Sequence, residues 1–326
     1  MKTAQVYPWL TQLQQQWQHE LAQKQVPAAS LIDGAQGSGV DVLVAEFARS
    51  LLCENSADSY CGLCHHCELS APNEENLVTN HPDIHFIAPE AVGKSISVDQ
   101  IRQANQWALS SSQLAGKRII IIHPAEAMNE SAANALLKTL ETPPVGCYFV
   151  LITHAAHRLL PTIVSRCQVS RLHQLDKAQV NAWLLEQTQT QLDDICLSMY
   201  QDAPLAGKAF IEEGQYAQWQ ELLALVARVC QSHDLPLTEI HACFKQEPLQ
   251  KITWLMYVFH EIEKYHFGVS RLNLPDAVSA LTGVIDYQKA LRSYQSLAKT
   301  KKQLIESSGL NIELIMTEFM IQLQGN

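Results

Sequence analysis

The first residues in the chain equipped for chemistry are Gly34-Ala35-Gln36-Gly37-Ser38-Gly39-Val40-Asp41. They follow an apolar run at 28–32 and open a helical pattern with Leu43, Phe47 and Leu51 on one face. This strand–loop–helix setting, with Gly34 and Gly39 at the spacing of G-x-x-x-x-G-K-[ST], is that of a phosphate-binding P-loop. A working loop needs a lysine to meet the β- and γ-phosphates and a Ser or Thr to hold Mg²⁺. Val40 stands at the lysine position and Asp41 at the hydroxyl position. Valine offers no charge and no donor. Asp41 places a negative charge at the helix N-terminus, where a phosphate would otherwise be favoured. The glycines Gly34, Gly37 and Gly39 keep the shape of the loop without its reactive groups.

A second position points the same way. The β-branched run 118–122 reads as a strand buried on both faces of a parallel sheet. In P-loop ATPases such a strand ends in an acidic residue for Mg²⁺. This one ends in His123-Pro124. A plain glycine-rich turn accounts for the loop taken alone. Two absences at separate parts of one mechanism favour a structural relative of an ATPase over a working one.

The cysteines suggest different chemistry. Cys53, Cys61, Cys64 and Cys67 follow the spacing C-x7-C-x2-C-x2-C, while Cys147, Cys167, Cys196, Cys230 and Cys243 are scattered. Four closely spaced thiolates close a tetrahedral zinc shell and leave no coordination position for a catalytic water. The expectation is a structural Zn²⁺, with a redox pair or chance grouping as the alternative. His65 and His66 fall inside the cluster as substitute ligands.

Composition limits the function classes. The chain has 326 residues, 47% hydrophobic and 17% charged, with a formal net charge of −10. That suits a soluble globular protein of two to three domains. It opposes independent DNA binding, which draws its affinity from neutralising phosphates. Lys299, Lys301 and Lys302 form a short basic run that reads as a solvated helix face. No apolar run is long enough to span a bilayer, and Met1–Gln5 reads as neither signal nor transit peptide. The expected location is the cytoplasm.

The elements that must position these groups alternate. Strand-like runs lie at 28–32, 84–88, 118–122, 148–153 and 168–172, with helical patterns at 41–53, 99–110, 131–141 and 157–163. Alternation of this kind predicts a parallel α/β sheet. Beyond 173 the strand signal fades. Two or three short helices are expected over 175–210, then helices at 219–230, 237–245, 249–265, 277–295 and 312–323. Trp254, Tyr257 and Phe259 are read there as core or interface packing.

Several blocks, taken in order, resemble a known family. Tyr7-Pro8-Trp9-Leu10, the four-cysteine insert, Asn134-Ala135-Leu136-Leu137-Lys138-Thr139-Leu140-Glu141, Pro143-Pro144 and Ser165-Arg166-Cys167 look like the delta prime subunits of bacterial DNA polymerase III clamp loaders. The likeness runs through 1–172 and continues more weakly to Asn311-Ile312-Glu313-Leu314.

It implies an AAA+ P-loop-like domain over 1–172 carrying a four-cysteine zinc insert (53–67), a small helical lid over 173–212 and an all-α collar domain over 213–326. It implies no ATP in this subunit and no activity of its own within the polymerase complex. The implied partners are gamma/tau-type ATPase subunits and a delta-type subunit in a five-membered ring. Sliding clamp and primer-template DNA are reached through the complex, and no membrane is involved. Arg166 would act in trans as an arginine finger, an always-charged fork donor in a neighbour's ATP site. Without the motif it would be an ordinary surface arginine. Thr153 matches the family's sensor position. The sequence departs from the family's Gly-Ser-Pro-Gly lid segment, with Asp202-Ala203-Pro204-Leu205 in its place.

Two rivals come from other classes: an active ATPase using Asp41 and Glu126, and a stand-alone zinc-dependent DNA-binding protein. A subunit of some other AAA+ ring is a near neighbour of the main reading. Glu126 lies past the strand end, poorly placed for the acidic Mg²⁺ position.

Overall fold

The computed structural model describes residues 7–71, 80–91, 93–172, 174–232, 235–270, 273–306 and 309–325. Met1–Gln5, and His173 at an expected domain boundary, lie outside the described residues. The chain divides into two compact units. One runs to Val180 and includes Asp202–Ala206; the other takes Asn181–Gln201 and everything from Gly207. The 173–212 segment therefore contributes to both.

The first unit is built on a five-stranded parallel sheet: β1 (Ala29–Gly34), β2 (Ile84–Ile87), β3 (Arg118–Ile122), β4 (Cys147–Thr153) and β5 (Gln168–Leu172). Their order is β2-β3-β4-β1-β5. All six residues of β1 and all five of β3 are buried. This is why both read as continuous apolar runs, without the alternation of a half-exposed strand. Ile32 pairs with Ile152 on one side and Ser170 on the other, placing β1 between β4 and β5. Its C-terminal residue, Gly34, thus opens the loop between two neighbouring strand ends.

The helices of this unit are α1 (Thr11–Ala22), α2 (Val40–Leu52), α3 (His65–Leu69), α4 (Val98–Leu109), α5 (Glu130–Glu141) and α6 (Pro161–Val164). A capping box starts α4, where Ser97 and Gln100 satisfy each other's backbone amides. The Asn129 side chain accepts from Ala132 N at 2.8 Å and starts α5. Arg118 is buried at the foot of β3 and donates to the carbonyls of Ala108, Ser110 and Val145. Asp83 works the other way. It accepts from the amides of Gln113, Leu114 and Ala115 and from the Ser112 hydroxyl. Burial alone would raise its carboxyl, but these donors outweigh that and hold it below the usual range.

Beyond the sheet come α7 (Lys177–Thr188), α8 (Asp194–Tyr200) and α9 (Pro204–Glu212). The second unit then runs through α10 (Gln215–Gln231), α11 (Leu237–Lys245), α12 (Pro248–His266), α13 (Asp276–Thr282), α14 (Tyr287–Glu306) and α15 (Ile312–Gln324). Trp219, Trp254, Phe259 and Met320 are buried among them, whereas Tyr257 is 40% exposed. Phe259 meets Phe319 edge-on at 6.0 Å. No described helix is long and apolar enough to cross a membrane.

The expected fold is met: a parallel α/β sheet domain with a cysteine insert, followed by an all-helical region. Four elements differ. The helix expected at 157–163 is interrupted at Leu159-Leu160, because Pro161 starts a new turn as α6. The helix expected at 277–295 breaks after Thr282, and Asp286 restarts it by accepting from Lys289 N at 2.7 Å. Helices α1 and α3 have no counterpart among the expected elements.

Candidate functional site

The loop after β1 has the backbone its glycines suggested. Gly37 and Gly39 have φ of 85° and 81°, in the left-handed region, where an L side chain costs roughly 1–2 kcal/mol. Other parts of the same unit press on it. A Cβ on Gly39 would stand 2.5 Å from the Tyr7 ring, and one on Gly37 would stand 3.1 Å from Ala206. Leu205 N donates to Gly37 O at 2.9 Å, and Trp9 Nε1 donates to Ser38 O at 2.8 Å. The Tyr7 and Trp9 rings stack at 5.3 Å. Val40, expected to stand at the lysine position, is 2% exposed, and a Cβ on Gly34 would stand 3.1 Å from its Cγ2. Burial raises the Tyr7 hydroxyl above its ordinary value, and the charges of Asp41 and Glu46 raise it further.

The ends of three strands are joined beside this loop. His123 directly follows β3 and His154 directly follows β4; their Nε2 atoms lie 3.0 Å apart. His154 Nδ1 lies 2.7 Å from Gly34 O, at the end of β1. A carbonyl only accepts, so neutral His154 carries its proton on Nδ1 and accepts at Nε2 from His123. Burial lowers the His123 pKa, the neighbouring His154 lowers it further, and Asp41 and Glu126 oppose the shift. Where hydrolytic P-loop proteins place an acid and a metal, this chain has a relay of imidazoles. Glu126 is committed as well. It accepts from Thr153 Oγ1 at 2.8 Å and His154 N at 3.1 Å, so the Thr153 hydroxyl, expected from the family resemblance to be a sensor, is already paired.

Arg166 lies between α6 and β5 and is part-exposed. Its Nε donates to Glu141 Oε1 at 3.0 Å, its Nη2 contacts the same oxygen, and Nη1 donates to Thr162 O at 2.9 Å. The two blocks that looked most family-specific in sequence therefore meet: Glu141 ends the Asn134–Glu141 block, and Arg166 is the centre of Ser165-Arg166-Cys167. The Glu141 side chain is 51% exposed. Ion pairs of this kind contribute about 0–1 kcal/mol, so the guanidinium is held in place yet easily exchanged.

The fourth constellation lies beyond the other end of α2. The Sγ atoms of Cys53, Cys61, Cys64 and Cys67 all lie within 4.8 Å of one another. Four thiolates at about 2.3 Å from Zn²⁺ are about 3.8 Å apart, so the donor set fits a tetrahedral ion. Backbone amides already point at the sulfurs: Cys61 N at Cys53 Sγ (3.3 Å), and Leu63 N and Cys64 N at Cys61 Sγ (3.4 and 3.3 Å). The Leu63 and Cys64 amides lower the Cys61 thiol to about 6, whereas burial pushes Cys67 up to about 12. His66 does not join the sulfurs. Its Nε2 meets Glu54 at 2.9 Å and its Nδ1 meets His81 at 2.9 Å.

Sequence reasoning missed the closing contacts of Tyr7, Trp9 and Leu205, the His154 relay and the Thr153–Glu126 pair. The relay had one readable signal, a histidine directly after each of two adjacent strands.

Residues 9–176 match the family model described as DNA polymerase III, delta subunit, and residues 214–325 match DNA polymerase III, delta subunit, C terminal. The chain is 29% identical over 324 residues to DNA polymerase III subunit delta' of Haemophilus influenzae, covering 98% of this chain and 97% of that one. It is 29% identical to the protein of the same name from Yersinia pestis over 328 residues, covering 97% and 94%. A solved gamma subunit-related protein of DNA polymerase III from Thermotoga maritima aligns over 97% of this chain and 98% of its own, at 19% identity and a TM-score of 0.46.

Proposed function

Since the chain belongs to the DNA polymerase III delta prime family of clamp-loader subunits, we propose that it works as a non-catalytic member of a five-membered loader ring. In this reading 1–172 is the AAA+ body, 173–212 the lid and 213–326 the collar that assembles with gamma/tau-type and delta-type subunits in the cytoplasm. The ring loads the sliding clamp onto primed DNA. This chain hydrolyses nothing and lends Arg166 to a neighbour's ATP.

The carrying observation is the pairing of a closed loop with an available arginine. Val40 is packed inward, and Tyr7, Trp9 and Leu205 contact the loop that would receive phosphates. Arg166 is tied by part-exposed contacts that an incoming anion can replace. A guanidinium presents two parallel N–H donors to a γ-phosphate and cannot be neutralised at ordinary pH. Glu141 holds that fork extended until a stronger anion takes it. The zinc ion, when bound by Cys53, Cys61, Cys64 and Cys67, supplies cross-linking and no reaction chemistry.

The test is reconstitution with gamma/tau-type and delta-type subunits, wild type against Arg166→Ala. Clamp loading should fall on the order of tenfold or more, a trans arginine being worth about 10³–10⁵ in rate in GTPase systems, with ring assembly unchanged. Normal loading in an assembled ring would leave this chain a scaffold only.

A further inference from the structure

A cavity of about 300 Å³ opens among α1, α2 and the loop leading to Cys61. Its walls are largely apolar and aromatic: Trp17 from α1, Leu43 and Phe47 from α2, and Tyr60 from the loop. The Trp17 and Phe47 rings lie 4.6 Å apart, tilted by 48°. Into this lining is set a carboxylate. Glu46 is 9% exposed, and its Oε1 is buried without a hydrogen-bond partner. Leaving such an oxygen unsatisfied costs about 1–3 kcal/mol, and more for a charged group. Burial raises the Glu46 carboxyl above its ordinary value and the charge of Arg49, one turn along α2, opposes that rise; Arg49 Nη2 donates to Cys67 O at 3.2 Å, and its guanidinium lies 4.2 Å from the Tyr60 ring centroid. A second carboxylate, Asp58, stands among the lining residues.

Aromatic faces and a desolvated carboxylate attract the same partner, a cation with an apolar body. Glu46 lines the cavity, so a neutral apolar ligand gains nothing from its charge and an anion is repelled by it. The Tyr60 ring already demonstrates the attraction by carrying Arg49. We propose that this cavity binds an organic cation, an ammonium or guanidinium on a short apolar stem, with Glu46 as counter-ion and Trp17, Phe47 and Tyr60 as its aromatic walls. The site is independent of the phosphate loop and of Arg166, and it stands whether or not the clamp-loader mechanism above is correct.

The test is calorimetric titration of the full-length chain, purified with zinc, using benzylammonium as the probe and benzyl alcohol as its uncharged counterpart. Benzylammonium should bind saturably, Glu46→Gln should weaken it about tenfold or more, and benzyl alcohol should show no preference between the two proteins. Equal affinity in wild type and Glu46→Gln, or no saturable binding to wild type, would overturn the proposal. If Glu46→Gln does not fold, Trp17→Leu takes its place: a several-fold loss supports the aromatic wall, and no loss overturns it. Repeating the titration with the other loader subunits present identifies the source of the cation. Exclusion of the probe assigns the site to a lysine or arginine of a neighbour, and retention assigns it to a free amine.

Discussion

A glycine-rich loop leads into helix α2 and a cysteine cluster follows just after its last residue, and the two ends satisfy their polar groups in opposite ways. At the first end the chain supplies everything. The carbonyls of Gly34, Gly37 and Ser38 accept from His154, Leu205 and Trp9, and Tyr7 packs against Gly39. At the other end four sulfurs converge. Thiolates this close repel each other unless a cation joins them. Packing can therefore preserve the shape of a site whose reactive groups are absent, but it cannot hold together donors of a single sign.

The contrast makes its largest prediction at the cysteines. Structural zinc sites contribute about 10–16 kcal/mol of apparent binding energy in small peptides, so chelation or Cys64→Ser should unfold the 53–67 insert. Limited proteolysis should then cut within it; unchanged protection would mean that the sulfurs need no ion. Next is Gly39→Ala. A left-handed Ala costs about 1–2 kcal/mol, and overpacking against Tyr7 adds about 1–3 kcal/mol. In a double-mutant cycle, Tyr7→Ala should recover the second part and not the first. Additive losses would place Tyr7 off the loop.

A smaller effect concerns acid. The His123 pKa is lowered in the fold, so its stabilising contribution is complete above the ordinary histidine value of 6.5 and is lost as pH falls through the folded value. The urea midpoint should drop between about pH 7.5 and about pH 5.5, and less steeply in His123→Gln. A pH-independent difference between the two proteins would remove the relay. The smallest expected effect is none. Val40→Lys with Asp41→Thr restores the loop's reactive residues but leaves Tyr7, Trp9 and Leu205 in place, so MgATP should still not bind. Saturable binding would show that the closure yields.

Legibility in the sequence followed burial. Strands β1 and β3 are covered on both faces and announce themselves as unbroken apolar runs. Helix α1 is hard to read because most of its positions are polar; only Leu13, Trp17 and Leu21, at helical spacing, are buried. The cysteines are readable because their spacing is local. The Tyr7–Gly39, Glu126–Thr153 and His123–His154 contacts are tertiary, and each joins segments whose own patterns say nothing about the other. Tyr7 and Trp9 stand out as part of a family-like block, but their contact with the loop depends on how α1 is seated.

The hydrogen bond from His154 to Gly34 O also has a mechanical consequence. Through His154 and His123 it ties the end of β1 to the ends of β4 and β3, so a displacement of the loop at Gly34 is felt at the other two strand ends.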